Sequence, residues 1–271
     1  MTGDGANDAP AIRLADVGIA LGSTSTQAAQ SAADIVLLDA NIETIVDAVI
    51  EGRGMWASVR DAVSLLVGGN LGEIGFTLLG GLADGVPPLN TRQLLLVNLL
   101  TDAIPAMAIA VRPPPNVAPE RLLQEGPEAS LGEALDQALA LRALTTGSAA
   151  AASYLAGRAT GSVARARTMA LVSLVGTQLG QTVLAGGRDP VVLAAGLGSA
   201  GLLAVIVETP GLSQLFGCQP LGPIALSTAT STSAAAALAA GVVPRVAPDL
   251  RLPTLDDLTG LADRVSAPRF W

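Results

Sequence analysis

The sequence predicts a mainly α, polytopic membrane protein: a bundle of six helices carrying a small α/β segment at its N-terminus. Two observations predict it. Apolar runs recur from position 62 onward, each near the ~20 residues that an α-helix needs to cross a bilayer. Ahead of them, residues 1–50 alternate short apolar strand patterns with helical ones, as an open α/β sheet does. The apolar runs are not a secretory leader, because some sixty residues precede them.

The elements follow in order. Asp8 to Leu14 reads as a short helix, and Val17 to Leu21, bounded by Asp16 and Gly22, as a short buried strand. Thr24 to Ala33 is helix-like, and Asp34 to Leu38 is a second strand. Asn41 caps a helix expected from Ile42 to about Arg53, with Glu43 placed well in its first turn. So few strands do not make a stable sheet alone, and this region reads as half a domain. Six membrane helices are expected at 62–83, 93–111, 135–156, 169–186, 190–208 and 221–243. The third and sixth are Ala-rich and weakly apolar. Small-residue runs at Thr145 to Ser153 and Ser227 to Ala240, with the pair Gly176 and Gly180, suit close helix packing. Three regions result: a head over 1–54, a membrane domain over 55–243 and a tail over 244–271, with a Pro-rich connector at Pro113 to Pro127.

A net charge of −8 argues against a nucleic-acid partner. All 15 basic residues are arginine, and there is no histidine, which excludes histidine catalysis and histidine metal ligation. The single Cys218 excludes an intrachain disulfide and a cysteine metal cluster. Trp56 and Tyr154 are the expected interfacial anchors. With residues 1–60 cytoplasmic, the outer segments hold only Arg92, Arg158, Arg165 and Arg167, and the other eleven arginines lie inside. That bias places both termini in the cytoplasm.

Two places carry chemistry. The first is the loop Met1 to Pro10, where Asp4 and Asp8 flank Asn7, and Gly3 and Gly5 loosen the backbone. These glycines permit positive φ and close approach to a ligand. Two carboxylates and an amide are hard oxygen donors of the kind Mg²⁺ takes beside a phosphate. A plain surface turn uses the same residues. The second is in the membrane, where an ionised carboxylate costs about 2.5–3.5 kcal/mol. Glu73 lies in the first span and Asp102 in the second. Asn70 shares a helix face with Glu73, and Asn98 and Thr101 share one with Asp102. Pro105 follows and removes a backbone hydrogen bond, so the helix is expected to kink or unwind there. Five side-chain oxygens, two of them on carboxylates, suit a hard cation such as Ca²⁺. An interhelical hydrogen-bond network is the structural alternative. Gln178 and Gln181 share a face on the fourth span and are expected to reach Asn70 or Glu73, or to serve as packing glue.

The string TGDGANDAPAI resembles the signature that closes the phosphorylation domain of P-type cation-transporting ATPases. VGIALG, AADIVLLD and a helix ending in EGR are similar to the rest of that haloacid-dehalogenase-like domain and its stalk. Gln30 departs from a common lysine, and Ser23 to Thr26 varies a usual Gly-Thr stretch. NLGE followed by VNLLTDAIPA resembles the calcium-pump branch. The resemblance runs from Thr2 to about Val243. It implies that Asp4 holds Mg²⁺, that Asn7 and Asp8 support it and the phosphoryl group, and that ATP is the fuel of the complete enzyme. It also implies that Asn70, Glu73, Asn98, Thr101 and Asp102 bind the transported cation. Gln178, a further candidate ligand of the transported cation, stands where two-site calcium pumps carry a glutamate ligand, so a charge is lost there.

The family's aspartate nucleophile in a DKTGT-type motif, its TGE-type loop, its nucleotide-binding domain and four earlier membrane helices have no counterpart in these 271 residues. The expectation is a C-terminal part of a pump, not competent alone, with Met1 an internal residue of a longer protein. It would partner the missing N-terminal domains, the bilayer and the transported cation. The rival expectations are a stand-alone, non-catalytic membrane protein that binds cations or associates with a pump, and a phosphatase-like head on an unrelated anchor.

Overall fold

Very short parallel strands build the N-terminal sheet. The computed structural model describes residues 1–22, 25–39, 41, 43–112, 132–247 and 252. In it β1 (Thr2–Gly3), β2 (Ile19–Ala20) and β3 (Ile35–Val36) lie side by side in that order, with Thr2 opposite Ile19 and Ile19 opposite Ile35. Parallel neighbours need crossovers, and α1 (Ala9–Leu14) and α2 (Gln27–Ala32) supply them. Pro10 sits in the first turn of α1, where a missing N–H breaks no helical bond. The Thr26 hydroxyl caps α2 by accepting from the Ala29 N–H at 3.4 Å. Ile12, Ala20 and Ala29 are fully buried. Gly18 lets α1 lie close to β2, because a Cβ there would stand 2.5 Å from the Ile12 carbonyl oxygen.

The chain divides into two compact units, with the boundary after Gly54. The helix α3 (Glu43–Asp84) begins where the Glu43 N–H donates to Asn41 Oδ1 at 3.1 Å. Sequence reading expects a helix ending near Arg53 and a separate span from 62. Instead α3 is one helix of 42 residues, about 63 Å long at ~1.5 Å per residue. The reason is local: residues 53–62 hold one glycine and no proline, so nothing forces a break.

In the second unit the next span consists of α4 (Thr91–Asn98), a π-helix π1 (Leu99–Ala106) and α5 (Met107–Ala110). A capping box starts it: Gln93 N–H donates to Asn90 Oδ1, and Asn90 N–H to Gln93 Oε1, both at 3.0 Å. There follow α6 (Glu133–Thr160), α7 (Val163–Gly186), α8 (Pro190–Glu208), the single turn α9 (Leu212–Leu215) and α10 (Pro223–Val246). The core gathers around α7, where Met169, Leu171, Leu174 and Val175 are buried against Leu96, Leu100 and Ala229. Among the described residues five helices are long and apolar enough to cross a membrane. The third expected span is helical over its whole length, but α6 is not one of the five. Asp136, Arg142 and Arg158 with a Thr/Gly/Ser stretch dilute its hydropathy. The connector at 113–127 and nearly all of the tail lie outside the described residues.

Tyr154 is not an interfacial anchor. Its ring is buried, meets Phe76 edge-on at 6.1 Å and carries Arg158 6.0 Å from its centroid. With few aromatics, the bundle uses this one as core volume.

The small residues do pack helices together. A Cβ on Gly176 would stand 2.7 Å from Ser233 Oγ, and one on Gly180 would stand 2.8 Å from Ala237 Cβ, so α7 and α10 touch along this seam. Ser233 donates to the Ser173 carbonyl across it at 3.2 Å. Gly180→Leu is therefore expected to destabilise the bundle by about 1–3 kcal/mol through overpacking. Gly198→Leu, where a Cβ meets nothing within 4 Å, is the control. Thermal unfolding in detergent reads the difference, and equal midpoints would contradict the seam.

Candidate functional site

In the N-terminal unit, Asp8 folds back over its own loop. Its Oδ2 accepts from the Gly5 N–H at 3.1 Å and from the Asp4 N–H at 3.3 Å. This return explains Gly3, where a Cβ would lie 2.6 Å from Asp8 Cβ. The positive φ that Gly3 and Gly5 permit is adopted by neither. At Gly3 the role is absence of bulk, since Asp8 packs directly against it, whereas a Cβ on Gly5 would meet Asp8 only at the ordinary contact distance of 3.4 Å. Asp4 and Asn7 are exposed and Asp8 is half-buried. The donor set of a free carboxylate, an amide and a second, loop-bound carboxylate fits a hard cation that keeps several waters.

Thr26 holds this loop from outside and does not stand out in the sequence. Its N–H donates to the Asp4 carbonyl at 2.8 Å, and its hydroxyl reaches the same oxygen at 3.3 Å. Its cap position ahead of a Gln/Ala helix was the available signal. Gln30 fills its place by donating to the Ser25 carbonyl and hydroxyl, both at 3.1 Å.

In the second unit, α3 and π1 bring four of the five expected oxygen donors to one place. Asn70 Nδ2 donates to Asp102 Oδ2 at 3.4 Å. The Thr101 hydroxyl lies 2.9 Å from Asp102 Oδ1 and 3.0 Å from the Val97 carbonyl. Glu73 is buried, and the Asp102 carboxylate is close enough to repel it. Two oxygens here, Asn70 Oδ1 and Glu73 Oε2, are buried without a hydrogen-bond partner. A buried acceptor left unpaired costs about 1–3 kcal/mol, and more when charged. Among the described residues no three His, Cys, Asp or Glu side chains cluster. The place thus has two carboxylates supplemented by neutral oxygens.

Asn98 is the exception, because its side chain is exposed. It ends α4, and the helix then changes to π geometry. Pro105 is buried within π1. The expected departure from α geometry takes the form of this wider, underwound turn, which accommodates the missing N–H without ending the helix.

Gln178 Nε2 donates to the Gly69 carbonyl at 3.4 Å, beside the site rather than to Asn70 or Glu73. Gly69 makes room for it, since a Cβ there would lie 3.1 Å from Gln178 Cδ. Gln181 turns away, donating to the Thr145 and Thr146 hydroxyls of α6 at 3.0 and 3.4 Å.

Residues 86–246 match the family described as cation transporting ATPase, C-terminus. The chain belongs to the P-type cation-transporting ATPases. It is 46% identical over 264 residues to a probable cation-transporting ATPase I of Mycobacterium leprae, covering 90% of this chain and 16% of that protein. A protein of the same description from Mycobacterium tuberculosis is 45% identical over 264 residues, with the same shares. Calcium-transporting ATPase 1 of Bacillus cereus is 44% identical over 122 residues, covering 45% of this chain and 14% of that one. The chain therefore spans about one sixth of the length of its mycobacterial relatives. This ATPase chain is a multi-pass membrane protein.

Proposed function

We propose that the chain is the cation-binding, C-terminal portion of a pump that couples ATP hydrolysis to movement of Ca²⁺ or another divalent cation across a membrane. The observation that carries this reading is the unpartnered pair Asn70 Oδ1 and Glu73 Oε2 beside Asp102. A bundle network that served only to hold helices would satisfy its acceptors. A site for a cation leaves them open. Asn70, Glu73, Thr101 and Asp102 bind the ion, with the uncharged Gln178 supporting Gly69 behind them. Asn98, exposed here, joins them only if a helix from the rest of the pump covers it.

In this reading residues 1–54 close the phosphorylation domain, 55–243 form the membrane domain and 244–271 a cytoplasmic tail, with both termini in the cytoplasm of the cell membrane. The rest of the pump supplies the nucleophile and the ATP site. Asp4 and Asn7, with Asp8 behind them, would hold Mg²⁺, which neutralises charge on a transferring phosphoryl group. Asp8 keeps the loop closed, and Thr26 fixes Asp4 against the sheet. The unbroken α3 carries movement at its first turns along its length to Glu73.

The longer protein reconstituted in vesicles tests the proposal. ATP-dependent uptake of a divalent cation, measured for Ca²⁺ and Mn²⁺ against Na⁺, is the expected result. Hydrolysis that no divalent cation stimulates would refute it.

A further inference from the structure

Three arginines and one carboxylate meet at one end of the bundle. Asp61 of α3 is already engaged, because Arg112 Nη2 donates to its Oδ2 at 2.5 Å. Arg112 also donates to the Ala185 carbonyl at the end of α7 and to Ser58 Oγ. Arg142 of α6 feels the same Asp61 carboxylate, and its stem is wedged against α3, where a Cβ on Gly68 would lie 2.8 Å from Arg142 Cβ. Among the described residues the Arg142 guanidinium has no hydrogen-bond acceptor, and neither has Arg245 in the last turn of α10. A half-buried guanidinium without an acceptor is a demand for an anion.

A cavity of about 210 Å³ lies between these two arginines. Arg142, Gln181 and Arg245 line one part of it, and Leu184, Leu238 and Val242 line the other, with no carboxylate in its wall among the described residues. The Gln181 amide N–H is committed to Thr145 and Thr146, so the arginines set the charge. Leu184, Leu238 and Val242 are exposed on α7 and α10, both of them helices long and apolar enough to cross a membrane. The cavity is thus cationic inside and opens onto an apolar wall. A free phosphate would leave that wall bare, and a neutral lipid would leave the arginines unpaired.

We propose that this cavity binds the phosphate headgroup of an anionic phospholipid, whose acyl chains run along Leu184, Leu238 and Val242. Basic pockets between membrane helices bind such headgroups. Neither Glu73 nor Asp102 lines this cavity.

The full chain purified in detergent tests it by titration with phosphatidylglycerol, phosphatidylcholine or glycerol phosphate, read as thermal stabilisation. Phosphatidylglycerol alone is expected to raise the unfolding midpoint. Arg245→Gln, at an exposed position that folding does not need, is expected to weaken that binding about fivefold, and Arg142→Gln by a similar factor. Arg188→Gln, exposed and outside the cavity, should leave it unchanged. Equal stabilisation by phosphatidylcholine, or an unaltered response in Arg245→Gln, would overturn the proposal. Equal stabilisation by glycerol phosphate would show a phosphate site with no lipid preference and overturn it as well.

Discussion

Replacing Glu73 with Gln and Asp102 with Asn together is expected to abolish cation-stimulated ATP hydrolysis by the full-length pump. The two side chains hold the negative charge between α3 and π1, and the other donors there, Asn70 and Thr101, are neutral. Removing one partner of a buried charge pair costs about 3–5 kcal/mol, which is about a hundredfold or more in affinity. Both amides fit the space of the acids, so the bundle should keep its unfolding midpoint. Single variants should each raise the half-saturating cation concentration, with Glu73→Gln the more damaging because Glu73 is the more buried of the two. Asn98→Ala serves as the internal comparison. Its exposure on α4 predicts a change below about tenfold, under the ~1.4 kcal/mol that a factor of ten represents. Full activity in the double variant would show the carboxylates to be packing elements, and a hundredfold loss from Asn98→Ala would show that another helix covers it.

Asp4→Ala is expected to remove Mg²⁺-dependent phosphoenzyme from the same pump. Asp4 offers the exposed carboxylate of the loop, while its carbonyl, not its side chain, is what Thr26 holds. Alanine therefore deletes the ligand and leaves the loop in place. Asp8 behaves differently because its carboxylate accepts from two backbone N–H groups. Asp8→Ala should lose both phosphoenzyme and loop stability, whereas Asp8→Asn keeps an acceptor oxygen and should lose mainly the charge. Phosphoenzyme formed at an ordinary level in Asp4→Ala, with Mg²⁺ present, would refute the metal role of the loop.

The parts of the architecture legible in the sequence are those set over a few residues. Asn41 bonding to the Glu43 N–H and Thr26 capping α2 are local choices that residue type already favours. The order from α1 to β3 in the head followed from apolar runs with polar punctuation, whereas the two-residue β1 lies in what reads as a loop. Likewise Asn70 and Glu73, three apart on an α-helix, had to share a face. Legibility ended where local geometry departed from the α or β norm. Counting on 3.6 residues does not anticipate the π-helix at Leu99–Ala106, nor that Asn98, just before it, is exposed. The break expected after Arg53 failed for a similar reason: a single glycine weakens a helix without ending it.

Pairs far apart in the chain were beyond local reading. Arg112 and Asp61 are 51 residues apart, and Thr26 and Asp4 are 22 apart, yet each pair meets. Nothing in the residue types says which arginine finds the carboxylate and which is left facing a cavity. Likewise Tyr154 has the character of an interfacial residue, and only Phe76 arriving from α3 makes it core.

By itself, then, the sequence determined the family, the order of the elements and which residues carry charge into the membrane, because motif, hydropathy and helix period are properties of contiguous chain. The tertiary structure alone decided which of those oxygens come together and which are left without partners. That outcome depends on how helices close against one another, with Gly69 admitting Gln178, Gly176 and Gly180 admitting α10, and π1 turning Asp102 toward Asn70. Such contacts join residues that no local rule relates.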